Sequence, residues 1–215
     1  MASARGGIKN FYHLEQTFLR RGAATLATPN LIRWALMFKN LHDQTHQSIQ
    51  SLAGLVSSTQ PTDIHQWDID TRQLDPFMNQ IPPLIGQISQ LCPGEHLALY
   101  CFEIISPDAD SEEILDVYAQ AKADKGRSFA RMNNAAQTLY VGSSRSLSRR
   151  IREHLGFGFP RTYSMHLAYW APKLELQLRL HTALYPVDSS PKAIQALEDC
   201  LWDSLKPMLG RQGQR

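Results

Sequence analysis

The chain has only three cysteines among its 215 residues, Cys92, Cys101 and Cys200, and no C-x-x-C spacing. An odd, unspaced set argues against a zinc site and reads as reduced, packed thiols. Long apolar runs are missing too, the longest being a few residues, as in Trp34-Ala35-Leu36-Met37-Phe38. A transmembrane helix needs about 20, so none is expected. The opening Met1-Ala2-Ser3-Ala4-Arg5-Gly6-Gly7 leads into polar sequence without an apolar core, which predicts a cytoplasmic protein with no secretory leader. Repeats and low-complexity tracts are absent. With 43% hydrophobic and 20% charged residues, the composition excludes a disordered or fibrous chain. The length fits one large domain or two small ones, and a net charge of +2 is too slight to identify a partner.

Local charge says more. Residues 103–125 carry seven acids against two lysines, and residues 143–179 carry seven bases against two acids. An acidic segment and a basic one thus hide inside a near-neutral total. Their complementarity admits a homodimer, or an acidic arm folded over a basic cleft.

The first ninety residues read as helical. Leu31, Trp34, Phe38, Leu41, Ile49, Leu52 and Val56 recur at helical spacing, with Asn30 as N-cap and an irregular break near Thr45. A second helix is expected over 83–91, with Leu84, Ile85, Ile88 and Leu91 as its apolar stripe. Cys92-Pro93-Gly94 then places a boundary between an N-terminal helical region (1–93), for target or partner binding, and a second domain (94–215). Beyond it, Leu97 to Ile105 and Thr138 to Gly142 read as strands, separated by an acidic helix from Ser111 to Lys122. Leu174 to His181 alternates with period two and reads as a third strand.

Two further helices carry the chemistry. From about Ser146 to Leu155, Leu147, Ile151 and Leu155 form a buried stripe while Arg145, Arg149 and Arg152 lie opposite. Arg150 and His154, four residues apart, share one edge of that stripe. Together they suit either a phosphate contact or a snorkelling arginine beside a partly buried histidine. The last helix opens at Ser189-Ser190-Pro191 and presents Ile194, Leu197, Leu201 and Leu205 to the core, with Glu198 in the middle of the stripe. A carboxylate there must be paired, for instance with Arg150, or hold a metal.

These pieces, over residues 98–210, resemble the GIY-YIG nuclease domain. Ala98-Leu99-Tyr100 stands for the first motif and Tyr140-Val141-Gly142 for the second. Arg150 falls at the family's catalytic arginine, His154 at its histidine and Glu198 at its metal-binding glutamate, and Leu205-Lys206-Pro207-Met208-Leu209-Gly210 matches the closing segment. The resemblance implies an α+β fold: a small antiparallel three-stranded sheet flanked by helices, with Thr162 to Trp170 as the second helix. The forty positions from Tyr100 to Tyr140 exceed the family's short hairpin, so about 106–137 is an acidic helical insertion. It further implies a metal-dependent DNA endonuclease with catalytic Tyr100, Tyr140, Arg150, His154 and Glu198. Mg²⁺ or Mn²⁺ would sit on Glu198, and Arg145, Arg149, Arg152 and Lys173 would hold the DNA backbone. A tyrosine acting on water would need its pKa lowered from about 10. Gly210 stands where the family often has asparagine, and Ala98 where it has glycine. The alternative is a catalytically weakened DNA-binding module or interaction scaffold.

Overall fold

A computed structural model describes residues 29–77, 82–92, 96–124 and 126–213. Among them are five α-helices and one four-stranded antiparallel sheet, an α+β arrangement. The first helix, α1 (Pro29–Ser58), is continuous, and the chain divides into two units, Met1–Ser51 and Leu52–Arg215. The expected break near Thr45 does not occur: the helix runs through it unbroken, with the Thr45 and Ser48 hydroxyls donating to the Leu41 and Gln44 carbonyls at 2.7 and 2.8 Å. Asn30 lies inside the helix, not before it. No helix among the described residues is long and apolar enough to cross a membrane.

The second unit is built on strands β1 (Asp63–Asp70), β2 (Leu97–Ile104), β3 (Thr138–Ser144) and β4 (Gln177–Tyr185), in spatial order β1-β4-β2-β3. The sheet therefore has four strands, not three. The extra one comes from the segment read as helical, so the compact unit begins well before the boundary expected at Cys92-Pro93-Gly94. DIHQWDID is poor in β-branched residues, yet it pairs with β4 over all eight positions, and Asp68 and Arg179 form an ion pair at 2.7 Å across that ladder.

Helices α2 (Pro83–Leu91), α3 (Ser111–Ala123), α4 (Leu147–Leu155) and α5 (Pro191–Leu205) complete the unit. Helix α3 buries Ile114, Leu115 and Tyr118 and starts on Asp110, whose carboxylate accepts from the Glu112 amide at 2.9 Å. Thr162–Trp170 is not the expected helix. Ser164 exchanges backbone hydrogen bonds with Ser128 and Ala130, and His166 sits at φ 52. Only the short 3₁₀ turns Leu167–Tyr169 and Ala171–Leu174 follow. The chain returning from the insertion takes up the hydrogen bonds that a helix would have made internally.

Candidate active site

Strand pairing sets the site's first dimension. Tyr100 lies opposite Gly142 and Phe102 opposite Tyr140, so alternation puts all four on one face of the sheet. The two tyrosine rings are nearly parallel, 8° apart with centroids at 6.3 Å. Gly142 makes this possible: a β-carbon there would come within 2.6 Å of the Tyr100 hydroxyl.

Helix α4 covers that face. Its Leu147, Ile151 and Leu155 are buried as the projection requires, and Gly156 closes it in the left-handed conformation at φ 102. His154, fully buried, brings Nε2 to 3.1 Å from the Tyr100 hydroxyl, and its Nδ1 accepts the Met165 amide at 3.3 Å. An acceptor at Nδ1 fixes the neutral tautomer with the proton on Nε2. His154 therefore donates to the Tyr100 oxygen. Arg150 donates to the same oxygen through Nε at 3.3 Å, to the Tyr140 hydroxyl through Nη2 at 3.4 Å and to Glu153 through Nη1 at 2.9 Å. With two donors on its oxygen, Tyr100 directs its own proton elsewhere.

Burial raises both phenols above 10, with Tyr140 adding to it at Tyr100, Tyr163 adding to it at Tyr140, and Arg150 opposing it at both. The lowered tyrosine pKa expected for base action is thus reversed in the free protein. Burial also works against the charge on Arg150, but Tyr100, Tyr140 and Glu153 outweigh it and keep the guanidinium protonated. His154 is held well below 6.5, by burial first and Arg150 second. Its proton affinity is lower folded than unfolded, so stability is fully present above about 6.5 and is lost as pH falls below it. One such group contributes a slope of up to about 1.4 kcal/mol per pH unit. Urea unfolding at pH 7.5, 6.5 and 5.5 should show that decline, and His154→Gln should flatten it. An equal slope in the variant would remove His154 as its source; His166, also lowered by burial, would remain.

Glu198 projects from α5 and is 8% exposed, more buried than Leu201 or Leu205 of its own helix. The Ser143 hydroxyl donates to its Oε2 at 2.5 Å. Ser143 follows Gly142, so its side chain leaves the opposite face of β3, and Glu198 approaches from that side. Both phenols feel its charge. The structure thus brings Tyr100, Tyr140, Arg150 and His154 into direct contact and sets Glu198 across the strand from them.

Two residues escaped the sequence reading. Glu153 is the carboxylate that Arg150 actually pairs with, shared with Arg149 at 2.6 Å. Its i, i+3 and i, i+4 spacing to the two arginines was the available signal. Ser143 was the other, a polar residue in a strand buried along its whole length. Of the backbone-binding set, Arg145, Arg149 and Arg152 are exposed on or beside α4, with Arg149 tied to Glu153. Lys173 instead sits on the turn Ala171–Leu174, packed against Thr71–Gln73.

Among the described residues no group of three His, Cys, Asp or Glu side chains could hold a metal. A single carboxylate beside a hydroxyl still fits a hard cation, which keeps most of its waters and takes its remaining oxygens from a phosphate. It does not fit zinc. A separate cleft of about 680 Å³ is lined by Asp68, Asp70, Asp75, Gln73 and Gln87. Asp68 and Asp70 there are already paired with Arg179 and Arg72, and three carboxylates would repel a phosphate.

The chain matches no protein-family model, and neither curated proteins nor solved structures give a match.

Proposed function

We propose that this protein is a metal-dependent DNA endonuclease that hydrolyses phosphodiester bonds at the Tyr100–Tyr140–Arg150–His154–Glu198 site. The observation that carries this is the fork of Arg150, which donates to both tyrosine hydroxyls at once while His154 closes on Tyr100. Three of the five guanidinium N–H groups go to Tyr100, Tyr140 and Glu153. The other two are available to phosphate oxygens, where a fixed cation offsets the charge that builds up in the transition state. Among the described residues Tyr140 accepts from Arg150 alone, which leaves a lone pair to orient the attacking water. Tyr100, its oxygen already taken by two donors, offers its proton to an oxygen of the phosphate. Mg²⁺ or Mn²⁺ held by Glu198 would supply further charge at the phosphate and the leaving oxygen. Arg145, Arg149 and Arg152 would grip the backbone without reading sequence.

The test is incubation with supercoiled plasmid and short linear duplexes in Mg²⁺, Mn²⁺ or EDTA. Cutting in either metal and none in EDTA is the expected result. Salt-sensitive binding without cutting, in both metals and across varied DNA, would overturn it in favour of the binding module.

A further inference from the structure

The insertion between β2 and β3 is acidic along α3, but its returning leg is not. Lys122 closes α3, and Arg131 lies further along the return. Backbone hydrogen bonds carry Arg131 to the C-terminal segment. The Gly210 amide donates to the Arg131 carbonyl at 2.8 Å, and Met132 bridges Leu209, which also bridges Tyr140. Arg211 follows immediately. Tyr163 sits between the two arginines: its hydroxyl accepts the Arg131 amide at 2.8 Å, and its ring centroid is 5.3 Å from the Arg211 guanidinium. Lys122 is pinned beside them, its ammonium donating to the Ala130 carbonyl at 2.9 Å. Gly210 fixes the distance from the reaction site. It adopts φ 113, and a β-carbon there would meet the Tyr140 ring at 3.0 Å, so Arg211 starts one residue from the backbone packed on a catalytic tyrosine.

No carboxylate among the described residues pairs with this cluster. Arg72, Arg149, Arg150 and Arg179 each have a carboxylate partner. Among the described residues no ion pair forms at Lys122, Arg131 or Arg211. Burial first, then the like charges of Arg211 and Arg131, lowers the proton affinity of Lys122. The backbone, not an acid, holds them in place. Such an arrangement is relieved by a polyanion.

We propose that Lys122, Arg131 and Arg211 form a second phosphate subsite, which holds the nucleic-acid backbone beside the scissile phosphate along the edge formed by Tyr140 and Tyr163. This rests on the nuclease reading above and extends it: the insertion becomes part of the substrate-binding surface, not a guard over it. The ligand is a backbone phosphodiester, recognised by charge alone.

The experiment measures binding of a fluorescent duplex in EDTA, over a salt titration, for the full chain and for Arg131→Ala/Arg211→Ala. The double variant should bind about tenfold or more weakly near 0.1 M salt, and its slope of log affinity against log salt should shrink by about 1.8, for two lost phosphate contacts. Arg131→Lys/Arg211→Lys should recover most of both, since a point charge suffices. The exposed single variant Arg211→Glu covers the case in which the double variant fails to fold, and it should weaken binding at least as much as losing one contact. Unchanged affinity and slope in folded variants of a protein that binds and cuts would overturn the subsite alone. A wild-type chain with no salt-dependent duplex binding would overturn the nuclease reading and the subsite with it. Equal loss for free inorganic phosphate as competitor and for duplex would assign the cluster to a lone anion instead.

Discussion

Arg150→Ala is expected to slow cleavage at saturating DNA by about a thousandfold or more, while duplex affinity falls by less than about tenfold. The disparity follows from where the guanidinium stands. It is one of several cations available for ground-state contact, beside Arg145 and Arg152, but its position alone among the described residues is set by two phenols and a buried carboxylate. A group so fixed contributes most where charge develops, because no reorganisation is needed at that moment. The fold should survive, since Glu153 keeps its 2.6 Å contact with Arg149. Arg150→Lys should rescue little: an ammonium carries charge but cannot span Tyr100, Tyr140 and Glu153 as a planar fork does. Single-turnover rates with enzyme in excess, set beside anisotropy titrations, separate the two quantities. Equal losses in rate and affinity would mean that Arg150 only binds, and would favour the binding module.

The parts of this site that were legible in the sequence are those fixed by local geometry. Helical spacing alone puts Arg150 and His154 on one edge of α4 and Glu198 towards the core from α5; the structure buries His154 and Glu198, although Leu197, Leu201 and Leu205 of the expected stripe are only half-buried. Tyr100 and Tyr140 needed more, because only the register of β2 against β3 shows that they share a face. What was hidden depends on distant partners. β1 carries Asp63, Asp68 and Asp70, which are poor strand formers; what makes it a strand is its ladder with β4, more than a hundred residues away. Thr162–Trp170 carried helix-spaced pairs, but Phe129 and Ser164 bridge and Ser128 takes the backbone bond, which no local pattern reveals. The tyrosine pKa values ran opposite to expectation for a similar reason. Arg150 does favour the phenolates, but burial under α4 is the larger effect.

Glu198→Gln should abolish metal-dependent cleavage, by about a thousandfold or more, without loss of stability. Glutamine has nearly the same shape, and its amide oxygen can still accept from Ser143, now at 2.5 Å. What it removes is the negative charge of a side chain that is 8% exposed. Because the shape and the Ser143 contact are kept, the melting temperature should change little. Duplex affinity in EDTA should rise as well, since the carboxylate repels the phosphate that it would serve once a cation is bound. This pattern of lost rate, held stability and tighter metal-free binding is specific to a functional carboxylate. A purely structural Glu198 would give the reverse, a lower melting temperature with cutting and binding unchanged. Thermal melts, anisotropy in EDTA and cleavage in Mg²⁺ on one preparation decide between the two, and full-rate cutting by Glu198→Gln would remove the glutamate from the reaction.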